Sequence, residues 1–113
     1  MLIRIRSLLT MLALMVTVTA FADCAPPEDV SVPDGTKASE EEMTKGQDFI
    51  RDFMTANERY RQCLDDEAAA LGAELTDEQK ASTTSLYNES VDREQALVET
   101  FNNQVRAFNK ANP

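Results

Sequence analysis

The chain has 113 residues, of which 20 are acidic and 11 are basic, and its formal net charge is −9 at pH 7. Such acidity excludes nucleic acid and anionic membrane surfaces as expected partners, because proteins bind both through basic patches. The sequence contains no histidine. It therefore lacks the commonest general base, the Ser/His/Asp and Cys/His nucleophile sets, and imidazole metal ligands.

Residues 1–22 have the layout of a secretory signal peptide. Arg4 and Arg6 precede an apolar run over 8–21, which ends in an A-x-A pattern at Ala22. The run is too short for a convincing membrane span, although an uncleaved anchor is the alternative. We therefore predict export, cleavage after Ala22 and a periplasmic location.

Lipid attachment is a second alternative, because a cysteine follows the predicted cleavage point closely. Asp23 directly precedes Cys24, whereas a lipid-attachment site has a small residue there, so we do not expect lipidation. The signal segment holds two of the basic residues and none of the acidic ones. The processed chain would therefore carry a formal charge of −11, and we expect it to be soluble and free of the membrane.

Residues 23–38, here called the leader, contain three of the four prolines and one of the three glycines. This composition favours extended, polyproline-like backbone. Pro33, Asp34 and Gly35 predict a turn before the next segment.

A first helix is predicted from Ser39 to Leu71. Ser39 and Glu42 have the spacing of a capping box, and Gly72 is a typical residue just beyond a helix end. One apolar stripe at helical spacing follows the cap, with Asn57 as its polar exception. Its members are Met43, Ile50, Phe53, Met54, Tyr60, Leu64 and Leu71.

A second helix is predicted to begin after Thr76 and to run to about Asn109. Thr76 and Gln79 form another capping-box pattern. The stripe again advances in steps of three and four, with Glu94 as its polar exception. Its members are Thr84, Tyr87, Val91, Val98, Phe101, Val105 and Phe108, with Leu97 beside them.

Helices of matched length joined by a short connection predict an all-α fold, an antiparallel helical hairpin over residues 39–113. The register that this implies places Tyr60 opposite Tyr87 and Ile50 opposite Leu97. Phe53 is then expected near Glu94 and Leu97.

The two cysteines, Cys24 and Cys63, are the only ones in the chain, and we predict that they form an internal disulfide. From Ser39 to Cys63 a helix spans about 36 Å. The leader, when extended, covers up to about 50 Å, so it can run back along the helix to Cys63. An intermolecular bridge or a redox-active thiol is the alternative, but the sequence has no C-x-x-C pair.

We predict no catalytic residues, no metal ligands and no cofactor. The acidic runs at 40–42 and 65–67 lack the turn glycine and alternating ligands of tight calcium loops, and a solvated helix face explains them. Hydrolysis by paired carboxylates is not excluded by residue type, but a narrow hairpin offers no deep cleft. Asn57 and Glu94 either set helix register, as buried polar groups do in coiled coils, or line a functional groove.

Several short patterns in the first half of the chain occur together: C-x-P-P-x(5)-P-D-G from Cys24, S-x-E-E-M from Ser39 and Y-R-x-C-L from Tyr60. This combination resembles a set of small uncharacterised exported proteobacterial proteins. The resemblance covers about 45 residues and implies the same paired cysteines, without implying an activity.

A second pattern, Leu75-Thr76-x-x-Gln79, resembles the L-T-x-x-Q motif of periplasmic envelope-stress chaperones. Those proteins are helical, dimeric, carry the motif twice and have a basic concave surface. Here the motif occurs once in an acidic chain, and a helix cap would produce the same residues.

The sequence thus favours an exported, non-enzymatic structural or protein-interaction module, with an envelope-stress chaperone or sensor as the alternative. The protein partner is unknown. A homodimer is expected to be favourable, because a lone hairpin leaves its apolar stripes half exposed and a four-helix bundle would cover them.

Overall fold

The computed structural model describes residues 24–113, so the predicted signal peptide lies outside the described residues. Helix α1 spans Glu40–Leu71, a 3-10 turn spans Gly72–Glu74, and helix α2 spans Asp77–Ala111. The two helices pack against each other, and this confirms the predicted all-α helical hairpin. Neither helix combines the length and apolar character needed to cross a membrane.

Both helices begin where the capping boxes predict. The Ser39 hydroxyl accepts from the Glu42 amide at 3.1 Å, and the Glu42 carboxylate accepts from the Ser39 amide at 2.7 Å. Thr76 and Gln79 make the same reciprocal pair at 3.1 and 3.0 Å. Each box satisfies two amides that the first turn of a helix leaves without partners. The Leu75-Thr76-x-x-Gln79 pattern therefore has a local structural role here.

The helices also end close to the predicted positions. Gly72 follows α1 with φ of +50°, the one positive φ among the described residues, and its amide donates to the carbonyls of Ala68 and Ala69. A side chain with a Cβ is disfavoured in this backbone region, which explains the glycine. Helix α2 continues to Ala111, two residues beyond the predicted end.

The core lies along one face of α1. Its buried residues advance in steps of three and four, as a packed helix face requires; they are Met43, Gly46, Ile50, Phe53, Asn57, Tyr60 and Leu64. In α2 only Ser90 is fully buried, and the apolar residues of its stripe are half-buried. The prediction was wrong for two residues of the stripes. Met54 of α1 is 39% exposed. In α2, Thr84 is exposed and its neighbour Thr83 is half-buried instead.

The helix register agrees with the predicted one. The Asn57 amide nitrogen lies 2.9 Å from the Ser90 carbonyl oxygen, and the Phe101 ring lies 3.5 Å from where a Cβ on Gly46 would stand. Gly46 and Asn57 are separated along α1 by as many residues as Ser90 and Phe101 along α2. One antiparallel register therefore holds over this length.

The leader runs back along the hairpin, antiparallel to α1, as predicted. Its first described residue, Cys24, is bonded to Cys63. Farther along, the Pro33 ring lies against Gly46, 2.8 Å from the position of a Cβ there. Val30 and Val32 are half-buried. The turn begins one residue later than predicted, because the Asp34 carbonyl accepts from the amides of Lys37 and Ala38.

Gly35 marks the closest approach of the leader to α2. Its amide donates to the Gln104 side-chain oxygen at 2.8 Å. A Cβ at this position would stand 2.0 Å from the Gln104 carbonyl oxygen and 2.8 Å from the Phe108 nitrogen. Because both atoms belong to the backbone of a helix, neither can move aside cheaply. Gly35 is therefore required by packing, not by its backbone angles.

Replacing Gly35 by alanine should push the leader off α2 and cost about 1–3 kcal/mol of unfolding free energy, as overpacking typically does. Urea denaturation of the oxidised protein measures this loss. Ser31→Ala, at an exposed leader position, is the control and should leave stability unchanged. Equal stability of Gly35→Ala and the parent protein would show that the leader is not docked here.

Candidate functional site

The Cys24–Cys63 disulfide joins the leader to α1. The two Cα atoms are 5.6 Å apart, within the range that a disulfide requires. Both cysteines are half-buried, and a Glu67 carboxylate oxygen lies within 4.8 Å of both sulfurs. Because the sulfurs are bonded to each other, this group offers no thiolate to a metal ion. The chemistry of the group is therefore that of a covalent staple.

Arg93 is the second point at which the leader is held. Its guanidinium donates to the Pro27 carbonyl at 3.1 Å and to the Asp29 carboxylate at 2.6 Å. The same group lies over the Phe53 ring, 5.5 Å from the centroid. Since the Asp29 side chain is 91% exposed, its ion pair contributes little. The carbonyl and the ring are the contacts that make Arg93 a bridge between leader, α1 and α2.

A polar cluster occupies the middle of the interface between the helices, centred on Asn57, whose side chain is fully buried. The Asn57 amide nitrogen donates to the Ser90 carbonyl and to the Glu94 carboxylate, each at 2.9 Å. The Asn57 amide oxygen accepts from the Ser90 hydroxyl at 2.7 Å. Every polar atom of this side chain is therefore bonded to α2, and a shifted register would leave them unpaired.

Arg61 closes the cluster on its solvent side. Its guanidinium donates to the Ser90 hydroxyl at 3.1 Å and to the Glu94 carboxylate at 2.9 Å. It also lies over the Tyr87 ring, 6.0 Å from the centroid. Burial raises the pKa of Glu94, but the hydrogen bonds from Asn57 and Arg61 outweigh it and leave the pKa below its ordinary value. Glu94 is thus held as a carboxylate.

The cluster is closed on itself and points to a structural role. Within residues 24–113, each buried side-chain nitrogen or oxygen has a hydrogen-bond partner. The bonds across the helix pair favour the register interpretation of Asn57 and Glu94 over a ligand groove.

The predicted acidic runs lie apart from this cluster. Glu42 is used in the helix cap. Near the end of α1, the Asp66 carboxylate accepts from the Gln62 side chain at 2.9 Å. Both runs are largely exposed, which agrees with their interpretation as solvated faces.

A small groove of about 140 Å³ lies beside Cys24. Its walls come from both helices near the turn, including Leu64, Gln79 and Leu86. Ligand pockets commonly measure about 300–1,000 Å³, so this groove is too small for most metabolites.

A scan of family models and searches of curated proteins and of solved structures found no match.

Sequence reasoning found the disulfide and both polar exceptions, Asn57 and Glu94, but missed Ser90, Arg61 and Arg93, which bind them or the leader. Ser90 occupies the position between Tyr87 and Glu94 in the steps of three and four, so its burial could have been inferred from spacing. Arg61 and Arg93 gave no comparable signal, because an arginine beside a helix seam is usually solvated.

Asn57→Ala should cost about 2–3 kcal/mol of unfolding free energy, because it leaves the Ser90 and Glu94 groups without their buried partner. Denaturant unfolding of the oxidised protein measures the loss. Asn103→Ala, the same change at an exposed position of α2, should not destabilise. Equal effects of the two substitutions would contradict the register role.

The Glu94 carboxylate should stabilise the folded state more at pH values above its unfolded-state pKa of about 4.3 than below it. Its folded-state pKa is depressed, so this contribution is lost as the pH falls through the folded value. The stability difference between the parent and Glu94→Gln should therefore shrink from pH 7 to pH 3. Thermal melts at each pH measure it, with Glu99→Gln, at an exposed position, as control. A pH-independent difference would contradict the assignment.

Proposed function

We propose that this chain is an exported, non-enzymatic module of the periplasm that acts through structure and protein contact. The observation that carries the proposal is the Cys24–Cys63 disulfide, which holds the leader on the hairpin. Disulfides persist in oxidising compartments and are rare where thiols are kept reduced. The apolar run and A-x-A pattern before Cys24 supply the export signal that such a location requires.

The polar residues in the middle of the helix interface are engaged with one another. Asn57, Ser90, Glu94 and Arg61 form one hydrogen-bonded cluster between the helices. Its role in setting register supports a scaffold, in which the surface rather than a cleft provides function. The proteobacterial exported proteins that the leader pattern resembles fit the same proposal.

A periplasmic chaperone or stress sensor is the second candidate. Three large apolar side chains are exposed on the hairpin: Phe49 at 55%, Leu86 at 40% and Met54 at 39%. Such isolated apolar residues on a negatively charged surface could bind unfolded client proteins. This candidate predicts that excess protein suppresses aggregation of an unfolded client. It also predicts that a Phe49→Ser, Met54→Ser, Leu86→Ser variant suppresses aggregation less.

Peptide mapping from fractionated cells tests the leading proposal. Full-length chain is expressed, the periplasmic fraction is isolated without reductant, and free thiols are blocked before digestion. We expect the chain in this fraction, beginning at Asp23, with one linked peptide pair that contains Cys24 and Cys63. Cytoplasmic retention with residues 1–22 intact, or two blocked thiols, would contradict it.

Chemical cross-linking in the intact envelope then tests the interaction role. We expect defined cross-links from the helix surface to a protein partner. No suppression of aggregation, together with such cross-links, would favour the interaction module over the chaperone. Suppression that the triple serine variant loses would favour the chaperone.

A further inference from the structure

Two depressions of the surface border the Cys24–Cys63 disulfide. One is the small groove beside Cys24, and the other has Cys63 in its wall. Glu67 is the one residue that lines both of them. Since both cysteines are half-buried rather than enclosed, a small thiol that approaches the bond along either depression comes close to the Glu67 carboxylate.

The contacts of Glu67 give no stabilising reason for a carboxylate at this position. Glu67 takes part in none of the ion pairs within residues 24–113. It lies one turn before α1 ends at Leu71, and the last turn of α1 contains no basic residue. An acid near this end of a helix is disfavoured, because it faces the negative end of the helix dipole. What Glu67 does have close by is the disulfide, with one carboxylate oxygen within 4.8 Å of both sulfurs.

Reduction of a disulfide brings negative charge to the sulfurs. A thiolate attacks one sulfur, for example that of Cys63, and forms a new S–S bond with it, while the Cys24–Cys63 bond breaks. The Cys24 sulfur leaves as a thiolate and takes up a proton. A second thiol then attacks the mixed disulfide and releases the Cys63 thiol, so that two thiols are oxidised to a disulfide and the protein gains two electrons.

A carboxylate beside the sulfurs opposes this attack. Two negative charges about 4 Å apart repel each other even in bulk water strongly enough to slow an encounter about fivefold, and more strongly where water is partly excluded. Two other charged residues, Arg59 and Asp66, line the depression at Cys63. Asp66 adds to the repulsion, whereas Arg59 attracts a thiolate and provides a test of opposite sign.

We propose that Glu67 is an electrostatic guard of the Cys24–Cys63 disulfide, which selects against anionic thiols as reductants and so keeps the leader attached to α1. The guard discriminates by charge: a thiol with an additional carboxylate is repelled twice, whereas the ammonium group of an aminothiol offsets the charge of its thiolate. This inference depends on the disulfide but not on where the chain is located, so it stands or fails apart from the proposed export.

Reduction kinetics of the purified, oxidised full-length protein test the guard. The probes are mercaptopropionate, which carries a carboxylate, and cysteamine, which carries an ammonium group. Reduction proceeds at about pH 8, near the ordinary pKa of a thiol, and is stopped by alkylation and followed by mass spectrometry. Each rate is divided by the thiolate concentration of the probe.

The variants are Glu67→Gln, which removes the charge and keeps the shape, and two controls. Glu58→Gln removes the same charge from an exposed position of α1, about 140° around the helix from Cys63. Arg59→Gln removes the positive charge that lines the depression at Cys63. Circular dichroism shows whether each variant is as helical as the parent protein.

At about 10 mM salt, where the Debye length is about 30 Å, Glu67→Gln should speed reduction by mercaptopropionate at least about threefold. Its effect on reduction by cysteamine should stay below about twofold, because the two charges of this probe offset each other. Glu58→Gln should change either rate less than about twofold, and Arg59→Gln should slow mercaptopropionate. The effect of Glu67→Gln should shrink at about 1 M salt, where the Debye length is about 3 Å.

Three outcomes of the variant series overturn the proposal. Glu67→Gln could speed both probes equally and independently of salt, which would mean that it loosens the leader and does not guard the bond by charge. Glu58→Gln could have the same effect as Glu67→Gln, in which case the net charge of the chain is responsible. Glu67→Gln could also leave both rates unchanged.

The parent protein provides a test that does not depend on any variant being folded. Raising the salt concentration from about 10 mM to about 1 M should speed its reduction by mercaptopropionate relative to its reduction by cysteamine, because screening removes the repulsion. A ratio of the two rates that does not change with salt would overturn the proposal.

Discussion

The bond between Cys24 and Cys63 is the constraint on which the arrangement depends, because it fixes the leader against a hairpin that has little core of its own. Two helices alone bury one narrow strip each, and small chains of this kind usually need a staple, a metal or a partner. Here the leader acts as a third packing segment. The face of α1 that receives both α2 and the leader is the one with a continuous buried row, whereas the apolar residues of the α2 stripe are only half-buried.

The register of the two helices and the placement of the leader are set by polar contacts rather than by the amount of apolar area buried. Asn57 is fully buried, and every polar atom of its side chain is hydrogen-bonded to α2. A slip by one helical turn would leave these buried groups unpaired, at a cost of about 1–3 kcal/mol for each group. Arg93 does the same for the leader, since its guanidinium meets a leader carbonyl and an aromatic ring of α1 at once. Register and leader placement are therefore set by a few directional bonds.

Features with local causes could be predicted from the sequence. Capping boxes and Gly72 gave the helix boundaries, and two cysteines within reach of an extended leader gave the disulfide. Met54 was wrongly assigned to the buried stripe of α1. It directly follows Phe53, and adjacent helical residues are 100° apart, so the two side chains cannot both lie on one narrow face. Gly35, Gly46 and Arg93 escaped prediction because their roles depend on how closely separate segments approach, which spacing along the chain does not reveal.

The stabilising role of the staple can be measured directly as the unfolding free energy of the oxidised protein and of a Cys24→Ser, Cys63→Ser variant. The loop that the bond closes has a sequence separation of 39, for which chain-entropy reasoning gives about 4 kcal/mol. We predict a loss near this value, together with release of the leader. A loss below about 1 kcal/mol would contradict the account, because it would mean that the hairpin is almost as stable without the disulfide as with it.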